Sequence, residues 1–320
     1  MNSVVIIGAG AWGTALAIQA ARAGISVTLW ARDQATAQAI AASRENPRLP
    51  GHRLPDTVRV VDALPTTADV ALLVVPMQHL RSVLERVQTP SAPLVVCIKG
   101  VESGTLRLPL EVVMELRPGA QAAVLTGPNF AHEIAAGLPA AAAIAAADAS
   151  LRDRITDLLG TPSFRLYGND DPVGAQVGGA AKNVIAIAAG AVIGAGLGEN
   201  ARAALITRGL AELARLAVKL GGRAETVMGL SGLGDLLLTC TGPASRNYSL
   251  GLALGRGESL THILAARSSV TEGVATAPAL VARAAGVDMP ICTAVAELLA
   301  GRTTLAEAIA MLLARPRRDE

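Results

Sequence analysis

The segment that most restricts the fold of this 320-residue chain is its opening, from Val4 to Arg32. The apolar run Val4-Val5-Ile6-Ile7 leads into Gly8-Ala9-Gly10-Ala11-Trp12-Gly13, then into a helix-compatible stretch through Ala23 and a second apolar run, Ser26–Trp30. Strand, glycine turn, helix and strand in that order predict a βαβ unit. Each glycine has a physical task there. Gly8 permits the tight turn, Gly10 lets backbone approach a diphosphate, and Gly13 lets the helix pack close to the sheet. The helix start then offers unpaired N–H groups to the phosphates. This pattern points to a dinucleotide. In Trp30-Ala31-Arg32-Asp33, Arg32 stands near the place where an acidic residue holds the ribose 2′-hydroxyl of NAD, and an arginine suits a 2′-phosphate instead. NADP(H) is therefore the preferred cofactor and NAD(H) the other possibility, because Asp33 follows one place later and Arg32 also reads as an exposed loop residue.

The alternation continues beyond this unit. Val58–Val61, Val70–Val75, Leu94–Ile98 and Ala122–Leu125 read as further short strands separated by helical or looped segments. Such a rhythm predicts a doubly wound α/β sheet covered on both faces. The run Ala140–Ala147 shows no period and reads as strand or helix, with strand preferred. Phe164–Tyr167 reads as one more strand before the polar break Gly168-Asn169-Asp170-Asp171-Pro172. Past that break, helical periodicity dominates near Val173–Ile193, Ala201–Leu220, Ser249–Arg256, Thr276–Ala285 and Cys292–Leu299. The expected organisation is a Rossmann-type domain over residues 1–172 and a mostly α-helical domain over 173–320.

Composition excludes several classes. With 51% apolar and only 2% aromatic residues, the cores must be aliphatic and need no outside support. A net charge of +2 leaves no broad basic field for nucleic acid, and Arg315, Arg317 and Arg318 read as a solvated tail. Cys97, Cys240 and Cys292 lack disulfide or zinc spacing, which suits a reducing compartment. His52, His79, His132 and His262 lack ligand spacing, so no metal is expected. The start Met-Asn-Ser followed directly by a strand shows no signal peptide, and the uncharged stretch between Lys182 and Glu199 is short for a bilayer span. A cytoplasmic protein with no membrane span is expected.

Several segments along nearly the whole chain resemble the bacterial NAD(P)-dependent glycerol-3-phosphate dehydrogenase family. They are Gly8 to Ala17, Lys99-Gly100-Val101-Glu102, Gly127-Pro128-Asn129-Phe130-Ala131, Lys182-Asn183-Val184-Ile185-Ala186, Gly232-Leu233-Gly234-Asp235-Leu236, Ser245-Arg246-Asn247 and Val270-Thr271-Glu272-Gly273. The resemblance implies reduction of dihydroxyacetone phosphate to sn-glycerol 3-phosphate for glycerophospholipid synthesis, by a homodimer. That chemistry needs a hydride donor, a proton donor at the carbonyl oxygen and donors for a phosphate. By resemblance Lys182 is the catalytic lysine, with Asp235 to orient it, Thr239 as a polar neighbour, and Lys99 at substrate and cofactor. Ser245, Arg246 and Asn247 would clamp the substrate phosphate, with Gly127 and Asn129 also against substrate. Ala11, Trp12, Ala131, Arg246, Val270 and Glu272 would join Gly8, Gly10, Gly13 and Arg32 at the cofactor.

Local sequence alone leaves other readings. Lys182 also fits a lysine reaching out from a helix end, Lys99 a solvated loop lysine, Asp235 a helix cap, and Pro243 to Asn247 a surface turn. The chain departs from the family where Ala11 and Asn129 stand in place of serine, and where Tyr248 stands in place of a second basic residue. The competing functional classes are a reductase of a keto acid or nucleotide sugar, the latter needing a catalytic cysteine, and a non-catalytic NADP(H) sensor.

Overall fold

The computed structural model describes residues 3–87, 92–267 and 270–316. Arg317 and Arg318 of the basic tail lie outside the described residues. Two compact units form, residues 1–99 with 108–176 and residues 100–107 with 177–320. The division falls within one long helix, at Gln176 and Val177. Residues 100–107 group with the helical unit instead of the sheet. This segment is closed by its own hydrogen bonds, Glu102 N to the Arg107 carbonyl at 2.9 Å and Leu106 N to the Glu102 carbonyl at 3.0 Å.

The first unit is an eight-stranded sheet in the order β3-β2-β1-β4-β5-β6-β7-β8. Its strands are β1 (Ser3–Ile7), β2 (Ser26–Trp30), β3 (Val58–Val61), β4 (Val70–Leu73), β5 (Leu94–Val96), β6 (Ala122–Thr126), β7 (Ala140–Ala145) and β8 (Phe164–Asn169). Strands β1 to β6 are parallel; β7 runs antiparallel to β6, and β8 is parallel to β7. The alanine-rich run is thus a strand, and the sheet is mixed at one edge. Alternate side chains of β1 enter different apolar clusters, Val4 and Ile6 on one face, Val5 and Ile7 on the other. That alternation is what a strand buried on both faces requires. Helices α1 (Ala11–Arg22), α2 (Gln34–Ser43), α3 (Leu80–Leu84), α4 (Pro109–Leu116), α5 (Ala131–Ala136) and α6 (Ala149–Leu159) accompany the strands. The chain leaves β1 toward β2 on one side, and β4 pairs on the other, so the glycine turn stands at the topological switch point, where open α/β sheets bind ligands.

The second unit is helical: α7 (Pro172–Gly194, shared with the first unit), α8 (Gly198–Lys219), α9 (Ala224–Val227), α10 (Asp235–Cys240), α11 (Arg246–Gly255), α12 (Leu260–Ala265), α13 (Glu272–Arg283), α14 (Pro290–Leu299) and α15 (Leu305–Leu313). By length and composition α7 could cross a membrane, but nearly all of it is buried inside the protein. A helix this apolar suits a buried position, and its few polar residues, Gln176, Lys182 and Asn183, are buried with it. Glycines set its crossing with α11. A Cβ on Gly190 would lie 2.1 Å from the Tyr248 carbonyl oxygen, and one on Gly251 would lie 1.9 Å from that of Ile187. Gly194 and Gly255 repeat the contact a turn later, with Leu252 and Ala191. Only residues without a side chain allow two helix backbones to approach so closely.

Glu212 of α8 ties down α14. It is 1% exposed, and its carboxylate accepts from the first N–H groups of that helix, Ile291 N at 2.7 Å and Cys292 N at 3.1 Å. Burial pushes its carboxyl above the ordinary value, and the two backbone bonds only partly offset this. A folded value above the unfolded one favours the protonated form, so this contribution is complete at low pH and is lost as pH rises from 4.5 through the raised value. Melting curves for wild type and Glu212→Gln should therefore diverge, the variant gaining relative to wild type as pH rises through that window. A constant difference from acid to neutral pH would refute the assignment.

Candidate active site

The glycine turn is closed on two sides and open on the third. Gly8 follows β1 with φ +124°, and a Cβ there would sit 2.5 Å from the Val74 carbonyl oxygen. A Cβ on Gly13 would sit 1.8 Å from the Gly8 carbonyl oxygen. A Cβ on Gly10, by contrast, would meet nothing within 4 Å. No side chain caps the N-terminus of α1, which opens with Ala11 and Trp12. An open cradle lined by helix N–H groups fits a dinucleotide diphosphate.

The other expected residues of the first unit also stand at the carboxyl ends of strands. Arg32 is exposed, two residues past β2. Asp33 is engaged locally: its carboxylate caps α2, accepting from Thr36 N at 2.8 Å and Thr36 Oγ1 at 2.6 Å. Those bonds hold its carboxyl below the usual range. Lys99 follows β5, and its Nζ donates to the Gly127 carbonyl at 3.2 Å. Gly127 follows β6 with φ +148° and packs against β7, where a Cβ would lie 3.0 Å from Ala142 Cα. Asn129 Oδ1 and Thr126 Oγ1 are buried without a hydrogen-bond partner. Orphan polar atoms of this kind are costly unless a ligand or an ordered water completes them. Ala131 opens α5.

In the second unit, Lys182 of α7 is 8% exposed and Asp235, the first residue of α10, is fully buried. The Lys182 ammonium donates to Asp235 Oδ1 and, at 2.9 Å, to Thr239 Oγ1. The Thr239 hydroxyl donates onward to the Asp235 carbonyl at 2.6 Å. A buried cation is tolerable only with this kind of paired, hydrogen-bonded compensation. The next residue, Asn183, accepts from Asn247 Nδ2 at 2.9 Å, and Asn247 Oδ1 accepts from Gly273 N at 3.0 Å. Lys182 and Asn247 thus belong to adjoining polar clusters in an apolar core.

Ser245 caps α11, accepting from Tyr248 N at 3.2 Å. Arg246 follows it with an exposed side chain, and its carbonyl accepts from Arg267 Nη1 at 2.7 Å. Burial, then the neighbouring Arg246 charge, holds the Arg267 guanidinium below its ordinary value. Glu272 opens α13, and Val270 precedes it on the surface. Asn183 and Arg267 were not singled out from the sequence. An asparagine beside the lysine in an otherwise apolar helix was the available signal for the first; nothing local marked the second. All three thiols are buried and raised by desolvation, Cys240 to about 12.

Comparison with known proteins bears on these clusters. Residues 3–152 match the family described as NAD-dependent glycerol-3-phosphate dehydrogenase N-terminus, and residues 171–310 match the corresponding C-terminus. A glycerol-3-phosphate dehydrogenase [NAD(P)+] of Gluconobacter oxydans is 54% identical over 318 residues, covering 98% of this chain and 97% of the relative. The protein of the same name from Acidiphilium cryptum is 58% identical, with the same shares covered. Among solved structures, glycerol-3-phosphate dehydrogenase from Coxiella burnetii superposes with a TM-score of 0.92 at 36% identity, over 98% of this chain and 99% of that one.

Proposed function

The chain belongs to the NAD-dependent glycerol-3-phosphate dehydrogenase family, and from that premise we propose that it reduces dihydroxyacetone phosphate to sn-glycerol 3-phosphate, using NADP(H) in preference to NAD(H). The observation that carries this reading is the buried Lys182 ammonium, held by Asp235 and Thr239 in a chain that also has an open glycine cradle. The first unit serves as the dinucleotide-binding domain and the second as the substrate domain, divided within α7 at Gln176 and Val177. Gly8, Gly10, Ala11, Trp12 and Gly13 hold the diphosphate and Arg32 the 2′-phosphate; Ala131, Val270 and Glu272 complete the cofactor site.

Bound nicotinamide supplies the hydride. As the carbonyl carbon accepts it, the Lys182 ammonium gives its proton to the carbonyl oxygen, leaving a neutral amine that solvent reprotonates; oxidation of the alcohol runs the same transfer backward. Asp235 and Thr239 fix the direction of Nζ. Lys99 contacts both substrate and cofactor. Ser245, Arg246 and Asn247 hold the substrate phosphate, Arg246 as a charged fork and Asn247 through the amide N–H left after its bond to Asn183. The family resemblance also assigns Arg246 to the cofactor. Gly127 and Asn129 face the substrate, where the orphaned Asn129 Oδ1 accepts a substrate hydroxyl. A mechanism through a thiolate, as nucleotide-sugar oxidation needs, finds no thiolate among the three raised cysteines. Its product, its family and its composition suit a cytoplasmic homodimer that feeds glycerophospholipid synthesis.

One experiment tests function and cofactor choice together: turnover of dihydroxyacetone phosphate with NADPH and with NADH, in wild type and Arg32→Ala. Wild type should favour NADPH. The variant should raise KM for NADPH roughly tenfold, the worth of one charge-assisted phosphate contact, and leave NADH unchanged. Equal effects on both cofactors would remove Arg32 from the 2′-phosphate, and absence of turnover would remove the substrate assignment.

A further inference from the structure

A buried carboxamide stands behind the glycine turn and takes no part in the reaction just described. Asn46 lies in the connection between α2 and β3 and is 1% exposed. Its Nδ2 donates to the Ala9 carbonyl at 3.1 Å and to Thr14 Oγ1 at 2.7 Å, while its Oδ1 accepts from Arg48 N at 3.0 Å. Both of its N–H groups are thus spent on the two ends of the first turn of α1. Thr14 closes that turn, its own N–H donating to the Gly10 carbonyl at 2.9 Å.

The consequence for the diphosphate follows from peptide geometry. The Ala9 carbonyl and the Gly10 N–H are opposite ends of one planar trans peptide and point in opposite directions. With the carbonyl fixed on Asn46, the Gly10 N–H is aimed away from it. Gly10 has no side chain to hold its orientation, its Cβ direction is open, and no side chain caps this helix end. The Ala9 carbonyl end of that peptide plane is held by a residue distant in sequence, Asn46.

We propose that Asn46 is a positioning residue for the cofactor diphosphate, locking the Ala9–Gly10 peptide so that the turn meets the phosphates already ordered. Preorganisation of this kind acts on affinity by removing the cost of ordering the turn during binding. The inference rests on dinucleotide binding at the glycine turn, as argued above.

Asn46→Asp tests it with little change of shape. The carboxylate has no N–H to give the Ala9 carbonyl, and it places a like charge behind the phosphates. Thr14→Val is the second variant, removing one anchor of the carboxamide without altering the glycines. The probes are NADPH, and adenosine 2′-monophosphate, which lacks the diphosphate. Asn46→Asp should weaken NADPH binding roughly tenfold or more and Thr14→Val several-fold, both leaving the adenosine 2′-monophosphate Kd within about twofold. In turnover the loss should fall on KM for NADPH, with KM for dihydroxyacetone phosphate and kcat little changed. A purely structural role predicts a lower Tm with both probes weakened alike, and that result would overturn the proposal. So would an NADPH Kd unchanged in whichever variants fold. Wild-type protein that binds adenosine 2′-monophosphate but not NADPH would instead overturn the dinucleotide reading on which the proposal stands.

Discussion

Replacing Lys182 by alanine should lower kcat for dihydroxyacetone phosphate by roughly 10² to 10⁴, the usual worth of a positioned general acid, while the NADPH dissociation constant stays within about twofold. The buried environment makes this variant costly in a second way. Asp235 is fully buried, and its carboxylate loses the ammonium that compensates it. Breaking a buried pair by removing one partner typically costs about 3–5 kcal/mol, so the single variant should also melt well below wild type. The two effects separate in the double variant Lys182→Met with Asp235→Asn. Removing both charges should restore most of the stability and none of the turnover. If instead kcat recovers together with Tm, the proton comes from another group. Retention of kcat within threefold in Lys182→Ala leads to the same conclusion.

That pair also marks the limit of what the chain's sequence reveals. The glycine turn was legible because all its parts are local: a strand, three glycines at fixed spacing and a helix, within the first turn of structure they specify. The strands of the sheet were legible as apolar runs punctuated by glycine and proline. Their direction was not. Ala140–Ala145 reads the same in either sense, and only pairing with β6 shows that it runs antiparallel. Lys182 and Asp235 are 53 residues apart, and no local signal links them; only the family resemblance associates them in the sequence, and packing brings them together in the molecule. Short helices such as Ala224–Val227 and Leu260–Ala265 were missed because they complete too few turns to show a 3.6-residue period. Asn183, Thr126 and Asn46 were missed for a related reason. A lone polar residue reads as surface until the structure shows it buried and hydrogen-bonded, or buried and waiting.

The residues proposed for ligand binding and proton transfer also separate by exposure. The groups expected to meet anionic ligand, Arg32 and Arg246, are exposed, whereas Lys182, Asp235, Thr239, Asn183 and Asn247 are buried. Long solvated arginines can close on a phosphate as it arrives, while a proton donor must be held in one direction before it does. This explains why the buried set is so fully hydrogen-bonded, and why its geometry depends on the helices that carry it.

Gly251→Ala strikes directly at that geometry. Its Cβ would lie 1.9 Å from the Ile187 carbonyl oxygen and 3.0 Å from Ala191 N, and both contacts are to backbone of α7. No flexible side chain is there to yield, so α11 must move off α7 by on the order of 1.5 Å to reach ordinary contact distance. Asn247 lies one turn earlier on the same helix, and its bonds to Asn183 at 2.9 Å and to Gly273 N at 3.0 Å cannot follow such a shift. Overpacking of this kind costs about 3 kcal/mol at the upper end of its usual range, which for a domain of this size lowers Tm by roughly 6–12 °C. Turnover should fall more than tenfold even at temperatures where the variant is folded, because Arg246 and Asn247 leave their places together. Gly242→Ala is the matched control. It lies in the loop before the same helix, and a Cβ there would meet nothing within 4 Å, so both Tm and turnover should stay near wild type. A Gly251→Ala protein that melts within a degree or two of wild type would show that α11 can leave α7 at little cost, and that the glycine crossing does not hold the buried cluster in register.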